Sequence, residues 1–255
     1  MNLLALASMA VSLLGWISYM PVVRSPRFRG TLWPTRVLLY GSLLMAGIAF
    51  ALPSPDRHTA MYLSATCASF AIFTLFYYIL LKLPPAAGRP EVGKVVPEFE
   101  VTGEDGKPFS SDRFVGKGPV LFIFFRGMWC ISCSDELQNL REVHETIQAK
   151  GGQIVAICVQ PLAVLQDARK DFPKLPVFLA CDPDGATVRK LNLVHAAFGK
   201  IGKTLSIPAN ILIDPKGVVQ WAHYSELVSD RPDPRLVLKK VLQFGSNAAL
   251  FGERS

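Results

Sequence analysis

The sequence predicts an α/β fold, a mixed sheet flanked by helices, preceded by three transmembrane helices. Three observations carry that reading. Long apolar runs fill the chain before residue 84, short apolar runs alternate with amphipathic stretches after residue 90, and the breaker-rich Pro84-Pro85-Ala86-Ala87-Gly88-Arg89-Pro90 separates them. The expected organisation is a membrane anchor over 1–83, a linker over 84–90, a folded domain over 91–245 and a tail over 246–255.

Half of the 255 residues are hydrophobic and only 18% are charged, which excludes disorder and collagen-like repeats. The net charge of +7 is unevenly placed: residues 1–90 carry seven Lys/Arg against the single acid Asp56, and residues 91–255 carry 20 basic against 19 acidic residues. A nucleic-acid-binding domain needs its basic face on the folded part of the chain, so no nucleic acid partner is expected.

The first apolar run, Met1 to Val23, has no charged side chain and lacks the basic n-region of a cleaved signal peptide, so it reads as a retained spanning helix in a lipid bilayer. Val37 to Pro53 is a shorter second run whose Gly41, Ser42, Ala46 and Gly47 allow close helix packing. The third, Ala60 to Leu81, ends in Phe73, Phe76, Tyr77 and Tyr78 ahead of Lys82, an aromatic belt and a basic anchor. Cys67, inside it, reads as a small packing residue. Arg24, Arg27, Arg29 and Arg36 lie in the first connection with no acid among them. Positive loops stay in the cytoplasm, so the N-terminus is expected outside and the domain after the third span in the cytoplasm of a multi-pass cell-membrane protein. No ionisable residue lies inside a span, which argues against ligand transport.

In the remaining two thirds, Val120 to Phe125 is a near-continuous apolar strand. A helix is expected from about Cys130 to Lys150, with Leu137, Leu140, Val143 and Ile147 on one face and Gly151-Gly152 as its stop. Gln153 to Val159 is the next strand, and Pro161 opens a helix where its missing N–H costs nothing. Val177 to Ala180, Asn210 to Ile213 and Val218 to His223 are further strands, the last two joined by the turn Asp214-Pro215-Lys216-Gly217. A final helix runs from about Pro234 to Phe244.

The cysteines Cys130 and Cys133 fall in Trp129-Cys130-Ile131-Ser132-Cys133, after a buried strand and at the start of a helix. Unpaired N–H groups and the helix dipole there favour a thiolate, so the pKa of Cys130 is expected to fall, with Arg126 adding positive charge. Three residues on, Cys133 shares the helix face within disulfide reach. Zinc would require a second ligand pair, which Cys158, Cys181, His144, His195 and His223 do not supply, so redox chemistry without a metal or other cofactor is expected. Cys158 and Cys181 read as core residues.

Gly106-Lys107-Pro108-Phe109, Phe125-Arg126-Gly127-Met128-Trp129-Cys130-Ile131-Ser132-Cys133, Glu136-Leu137, Asp182-Pro183-Asp184-Gly185 and Ile207-Pro208-Ala209-Asn210-Ile211-Leu212-Ile213-Asp214-Pro215-Lys216-Gly217 occur in an order that resembles the alkyl hydroperoxide reductase C/thiol-specific antioxidant (peroxiredoxin-like, redoxin) family. The resemblance spans about 91–245 and implies a thioredoxin-like fold, with Pro208 after a cis peptide bond beside the cysteines. Typical peroxiredoxins place Pro seven and Thr three residues before the attacking Cys; counted from Cys130, these positions hold Ile123 and Gly127. Thioredoxins proper carry a buried acid six residues before their first Cys, here Phe124.

The expectation is a membrane-anchored, peroxiredoxin-like thiol oxidoreductase with antioxidant activity. Cys130 attacks an oxidised substrate, Cys133 resolves the intermediate as a disulfide, and Arg126, Trp129 and Pro208 support them. The substrate is a peroxide or, alternatively, a protein disulfide, and the electron donor a small dithiol or thioredoxin-like protein. A non-catalytic redox-sensing or assembly subunit is the alternative of a different class; it would be oxidised stoichiometrically, without turnover.

Overall fold

The computed structural model describes residues 3–24, 33–51, 57–76, 82–85, 87–195 and 204–251. The chain divides into two compact units, Met1–Lys82 and Leu83–Ser255.

In the first unit the apolar runs form α1 (Leu3–Arg24), α2 (Trp33–Ala51) and α3 (Arg57–Phe76). Among the described residues no helix is long and apolar enough to cross a membrane, which corrects the expectation of three transmembrane helices. Hydroxyl and small side chains dilute each run: Ser8, Ser12 and Ser18 in α1, Gly41, Ser42 and Gly47 in α2, Thr59, Ser64, Thr66 and Ser69 in α3. Residues 77–81, Arg27, Arg29 and Asp56, which the topology argument used, lie outside the described residues. Many of the hydroxyls point inward. Ser8 and Thr66 are buried and hydrogen-bonded at 3.1 Å, Ser12 Oγ donates to Ser69 Oγ at 2.8 Å, and Trp16 Nε1 donates to the same oxygen at 2.9 Å. Leu3, Leu13, Leu44 and Phe50 point outward, Phe50 with 81% of its surface exposed. Cys67 is exposed rather than packed.

In the second unit β3 (Val120–Phe124), β4 (Gln153–Cys158) and β5 (Phe178–Cys181) are parallel neighbours. On one side β6 (Ala209–Ile213) and β7 (Val219–Tyr224) join antiparallel; on the other, β1 (Glu100–Gly103) and β2 (Pro108–Ser110) do the same. The sheet order is β2-β1-β5-β4-β3-β6-β7. Every residue of β3 is buried, because alternate side chains feed two cores. Phe122 and Phe124 pack with Phe99, Phe114 and Ile211 on one face, and Leu121 and Ile123 with Leu137, Ile147 and Val241 on the other.

The helix expected over 130–150 is two helices, α4 (Ile131–Gln138) and α5 (Arg141–Ala149). Asn139 separates them. Its side chain donates to the Asp135 carbonyl at 2.7 Å, the local side-chain-to-backbone bond with which Asn competes against helix continuation. Pro161 precedes α6 (Leu162–Asp171). Asp182 accepts the Thr187 and Val188 amides at the start of α7 (Ala186–Lys190). The last helix, α8 (Pro234–Phe251), runs past the expected end near Phe244.

Phe122 makes edge contacts with Phe99 at 5.1 Å and Phe114 at 5.7 Å and is fully buried. Phe122→Ala is expected to cost about 3–5 kcal/mol, read as a lower urea midpoint for the second unit's transition with unchanged slope.

Candidate active site

The site forms where β3 ends. Phe125 still hydrogen-bonds across to the Ile157 carbonyl, after which the chain turns through Arg126-Gly127-Met128-Trp129 into α4. Gly127 has φ of +148°, and a Cβ there would lie 2.6 Å from Trp129 Nε1 and 2.7 Å from Gln160 Oε1. The position thus requires glycine for backbone reasons. Gln160 Oε1 accepts the Met128 amide at 2.7 Å, and Ser134 Oγ donates to the Met128 carbonyl at 2.9 Å, so the turn is tied at both sides. Trp129 is 57% exposed, with the Arg126 guanidinium 5.2 Å from its ring centre.

Cys130 is the N-cap of α4, and Cys133 lies one turn inside it. Both thiols are free; Cys130 is 9% exposed and Cys133 fully buried. The proton distribution between them reverses the sequence expectation. Burial alone would raise the Cys133 pKa, but the Cys130 thiol as hydrogen-bond donor, the Arg231 charge and the Arg126 main-chain amide overcome it and hold Cys133 well below the ordinary thiol range. Cys130 is correspondingly raised, first by its hydrogen bond to Cys133, then by burial and the neighbouring negative charge. The helix start contributes to both cysteines, whereas the guanidinium bonds one.

That guanidinium comes from the loop between β7 and α8. Arg231 Nη2 donates to Cys133 Sγ at 2.8 Å, and Nε is 2.8 Å from Glu136 Oε2. Asn210 Nδ2, on β6, donates to Glu136 Oε1 at 2.9 Å. Burial would lower the Arg231 pKa, but the Cys133 and Glu136 charges more than offset it and raise it. A buried cation with two buried anions beside it and loop carbonyls on Nη1 is a charge-balanced form of such a cluster, the Nε–Glu136 contact being an ion pair. His195 is buried as well. Burial, then the Arg126 charge, push its pKa down to about 4, so its imidazole is neutral at neutral pH.

Cys130, Cys133, Arg126 and Trp129 are therefore gathered at one end of β3. Pro208, directly before β6, is buried at that end of the sheet, since Ala209 pairs with Phe124. Its peptide bond is trans, as no cis bond occurs among the described residues. This corrects the cis expectation and agrees with the ordinary trans preference of X-Pro bonds; the Pro208 carbonyl accepts the Ser225 amide at 3.0 Å. Cys158 and Cys181 are buried and paired in register across β4 and β5, with Cys158 pushed up to about 12 by burial. Sequence reasoning missed Arg231 and the part played by Glu136 and Asn210. Glu136, an acid on the turn after Cys133 amid apolar neighbours, was the available signal.

A dithiol at a strand-to-helix junction of a mixed sheet, with one sulfur held by a buried arginine, defines a thiol redox protein on a thioredoxin-like fold. The AhpC/TSA family matches residues 92–222, and the chain belongs to that family. Among curated relatives, thiol-disulfide oxidoreductase ResA of Bacillus thuringiensis subsp. konkukian is 30% identical over 133 residues, 51% of this chain and 68% of that protein. Chloroplastic peroxiredoxin Q of Triticum aestivum is 25% identical over 144 residues, 56% and 64% of the two chains. Of solved structures, a peroxiredoxin-like protein from Aquifex aeolicus superposes with a TM-score of 0.54 at 17% identity, covering 63% of this chain and 91% of that one. Enterococcus faecalis AhpC superposes with 0.54 at 19%, covering 65% and 98%. These last two likenesses concern the fold. With its family, the chain is a thiol-dependent oxidoreductase.

Because the Cys133 pKa is lowered, thiolate absorbance near 240 nm is expected to persist as pH falls through the ordinary thiol range and to vanish only below it. Cys133→Ser removes this low-pH step and Cys130→Ser retains it. Arg231→Met raises the midpoint by at least about one pH unit, a tenfold loss of thiolate at fixed pH.

Proposed function

We propose that the chain is a peroxiredoxin-like peroxidase in which Cys133, not Cys130, attacks the oxidant and Cys130 resolves it. The observation that carries this reading is the buried Arg231–Cys133 contact at 2.8 Å. In the first step the Cys133 thiolate attacks the distal peroxide oxygen, the O–O bond breaks, and the leaving oxygen takes a proton from solvent to depart as water or an alcohol while the sulfur becomes a sulfenic acid. The Cys130 thiol then attacks Cys133 Sγ, expels water and closes the Cys130–Cys133 disulfide. A dithiol donor, small or thioredoxin-like, returns two electrons and two protons.

Two further features support peroxide as oxidant. A fully buried sulfur is closed to a folded partner but within the reach of a small molecule after slight opening of the site. Counted from Cys133, the family positions seven and three residues earlier are Arg126 and Cys130, so a thiol donor stands where the family pattern has a hydroxyl. The runner-up, reduction of protein disulfides, is favoured by exposed Trp129 and Ile131 flanking Cys130, an apolar lip on which a partner could rest.

We also propose that the first unit holds the chain at a cell membrane, with the redox unit on the cytoplasmic side. Its support is the inverted burial of the three helices, with hydroxyls paired inside and large apolar side chains outside, an arrangement suited to an apolar surrounding.

The full chain is expected to consume hydroperoxide continuously with a dithiol donor. Cys133→Ser abolishes consumption. Cys130→Ser is expected to stop after one equivalent, leaving a sulfenic acid at residue 133 that a cyclic diketone labels. Turnover of a protein disulfide with hydroperoxide untouched would establish the runner-up, and stoichiometric oxidation without turnover the sensor. Recovery of the chain in the aqueous fraction after cell lysis without detergent would remove the membrane proposal.

A further inference from the structure

The loop that carries Arg231 is closed on itself by one residue, Asp230. Its carboxylate oxygen Oδ2 accepts the Glu226 amide at 3.1 Å and lies 3.3 Å from His223 Nε2 on β7. Its carbonyl accepts Ser225 Oγ at 2.7 Å and an N–H of Arg231 itself. Its amide donates to the Leu227 carbonyl at 3.0 Å, and Arg231 Nη1 also donates to the Val228 carbonyl at 3.2 Å. Both ends of the segment 225–231, and the guanidinium at its tip, are thereby tied to a single side chain and its own peptide groups. Ser225 in turn is anchored through its amide to Pro208, ahead of β6. The Asp230 side chain is 16% exposed. Burial would raise its pKa, but the hydrogen bond and charge of His223 and the Glu226 amide hold it down, so it stays an anion.

We propose that Asp230 is a positioning residue of the redox site: by closing the 225–231 loop and bracing it against His223, it sets the Arg231 guanidinium against Cys133. The inference rests on the reading of Cys133 as the attacking sulfur. It goes beyond that reading because Asp230 is argued to act only through Arg231. Without the carboxylate the Glu226 amide loses its acceptor and His223 the anion 3.3 Å from its Nε2, the loop opens, and the guanidinium no longer stays at 2.8 Å from the sulfur. Arg231 would keep its charge, but a hydrogen bond to a buried anion falls away steeply with misplacement.

The experiment is a pH titration of thiolate absorbance in the full chain. Asp230→Leu, which keeps much of the shape and removes both the charge and the acceptor, is expected to lower the thiolate fraction about tenfold at fixed pH below the ordinary thiol range, one unit of midpoint. The brace variant His223→Gln, at a partly buried position, is expected to act in the same direction and by less, and it remains informative if substitution of Asp230 prevents folding. In an Arg231→Met background either substitution should change the midpoint by less than about twofold in thiolate fraction, because the residue it acts through is gone. Amide exchange at Glu226 and Asp230 should quicken in the single variants. Folded single variants with the parental midpoint overturn the proposal while leaving Cys133 as the attacking sulfur. A shift that survives in the Arg231→Met background also overturns it. If the parental low-pH thiolate disappears with Cys130→Ser instead of Cys133→Ser, the assignment of Cys133 fails and the proposal fails with it.

Discussion

Burying a guanidinium in this domain requires that its charge be answered locally, and most of the site follows from that requirement. An unpaired cation at the position of Arg231 would cost several kcal/mol. The structure meets the cost from four directions: a sulfur on α4, a carboxylate one turn later on the same helix, and carbonyls of Val228 and Asp230 in its own loop. Glu136 is satisfied in turn by Asn210 on β6. Removing one member leaves the others uncompensated, so the cluster acts as a unit and ties α4, β6 and the loop before α8 together.

The sheet makes that convergence geometrically available. β3 is central, with β4 on one side and β6 on the other, so its C-terminal end delivers α4, while antiparallel β6 begins at the same edge. β7 returns beside β6 and releases the Arg231 loop there. Two phenylalanine-rich and aliphatic cores on the faces of β3 keep this junction stiff, and stiffness matters because a 2.8 Å contact to a buried anion tolerates little play.

The apolar runs of β3, β4 and β6 were legible because strands buried on both faces leave a continuous signature, as was the Cys-x-x-Cys pair at the following helix start. β1 and β2 are short strands of mixed polarity at one side of the sheet, which periodicity alone does not separate from loops. The break at Asn139 was hidden inside an otherwise helical pattern, since it depends on one side chain folding back on Asp135. Arg231 was not legible at all. It is 98 residues from Cys133 in a polar segment, and only the tertiary fold shows that this arginine, unlike its many surface counterparts, is buried. The same gap bears on the thiolate: helix-start reasoning sees the local field, which acts on both cysteines, and misses the distant guanidinium whose hydrogen bond goes to Cys133.

Charge balance carries one consequence further. With Cys133 as thiolate, the buried cluster holds Arg231 and Arg126 against Cys133 and Glu136, two cations and two anions. Closing the Cys130–Cys133 disulfide removes the anionic sulfur and leaves the two guanidinium groups with one carboxylate. On that reading the charges around the site favour the dithiol over the disulfide, and electrostatic stabilisation of the reduced form makes a couple more oxidising. A couple of that kind accepts electrons readily from ordinary dithiols, which suits a site that must be returned to its reduced state after each encounter with a strong oxidant. It suits less well a reductant of protein disulfides, for which the resting dithiol has to be the less stable partner. On the proposed reading, the arginine that holds the Cys133 sulfur thus also biases the direction in which electrons leave the donor.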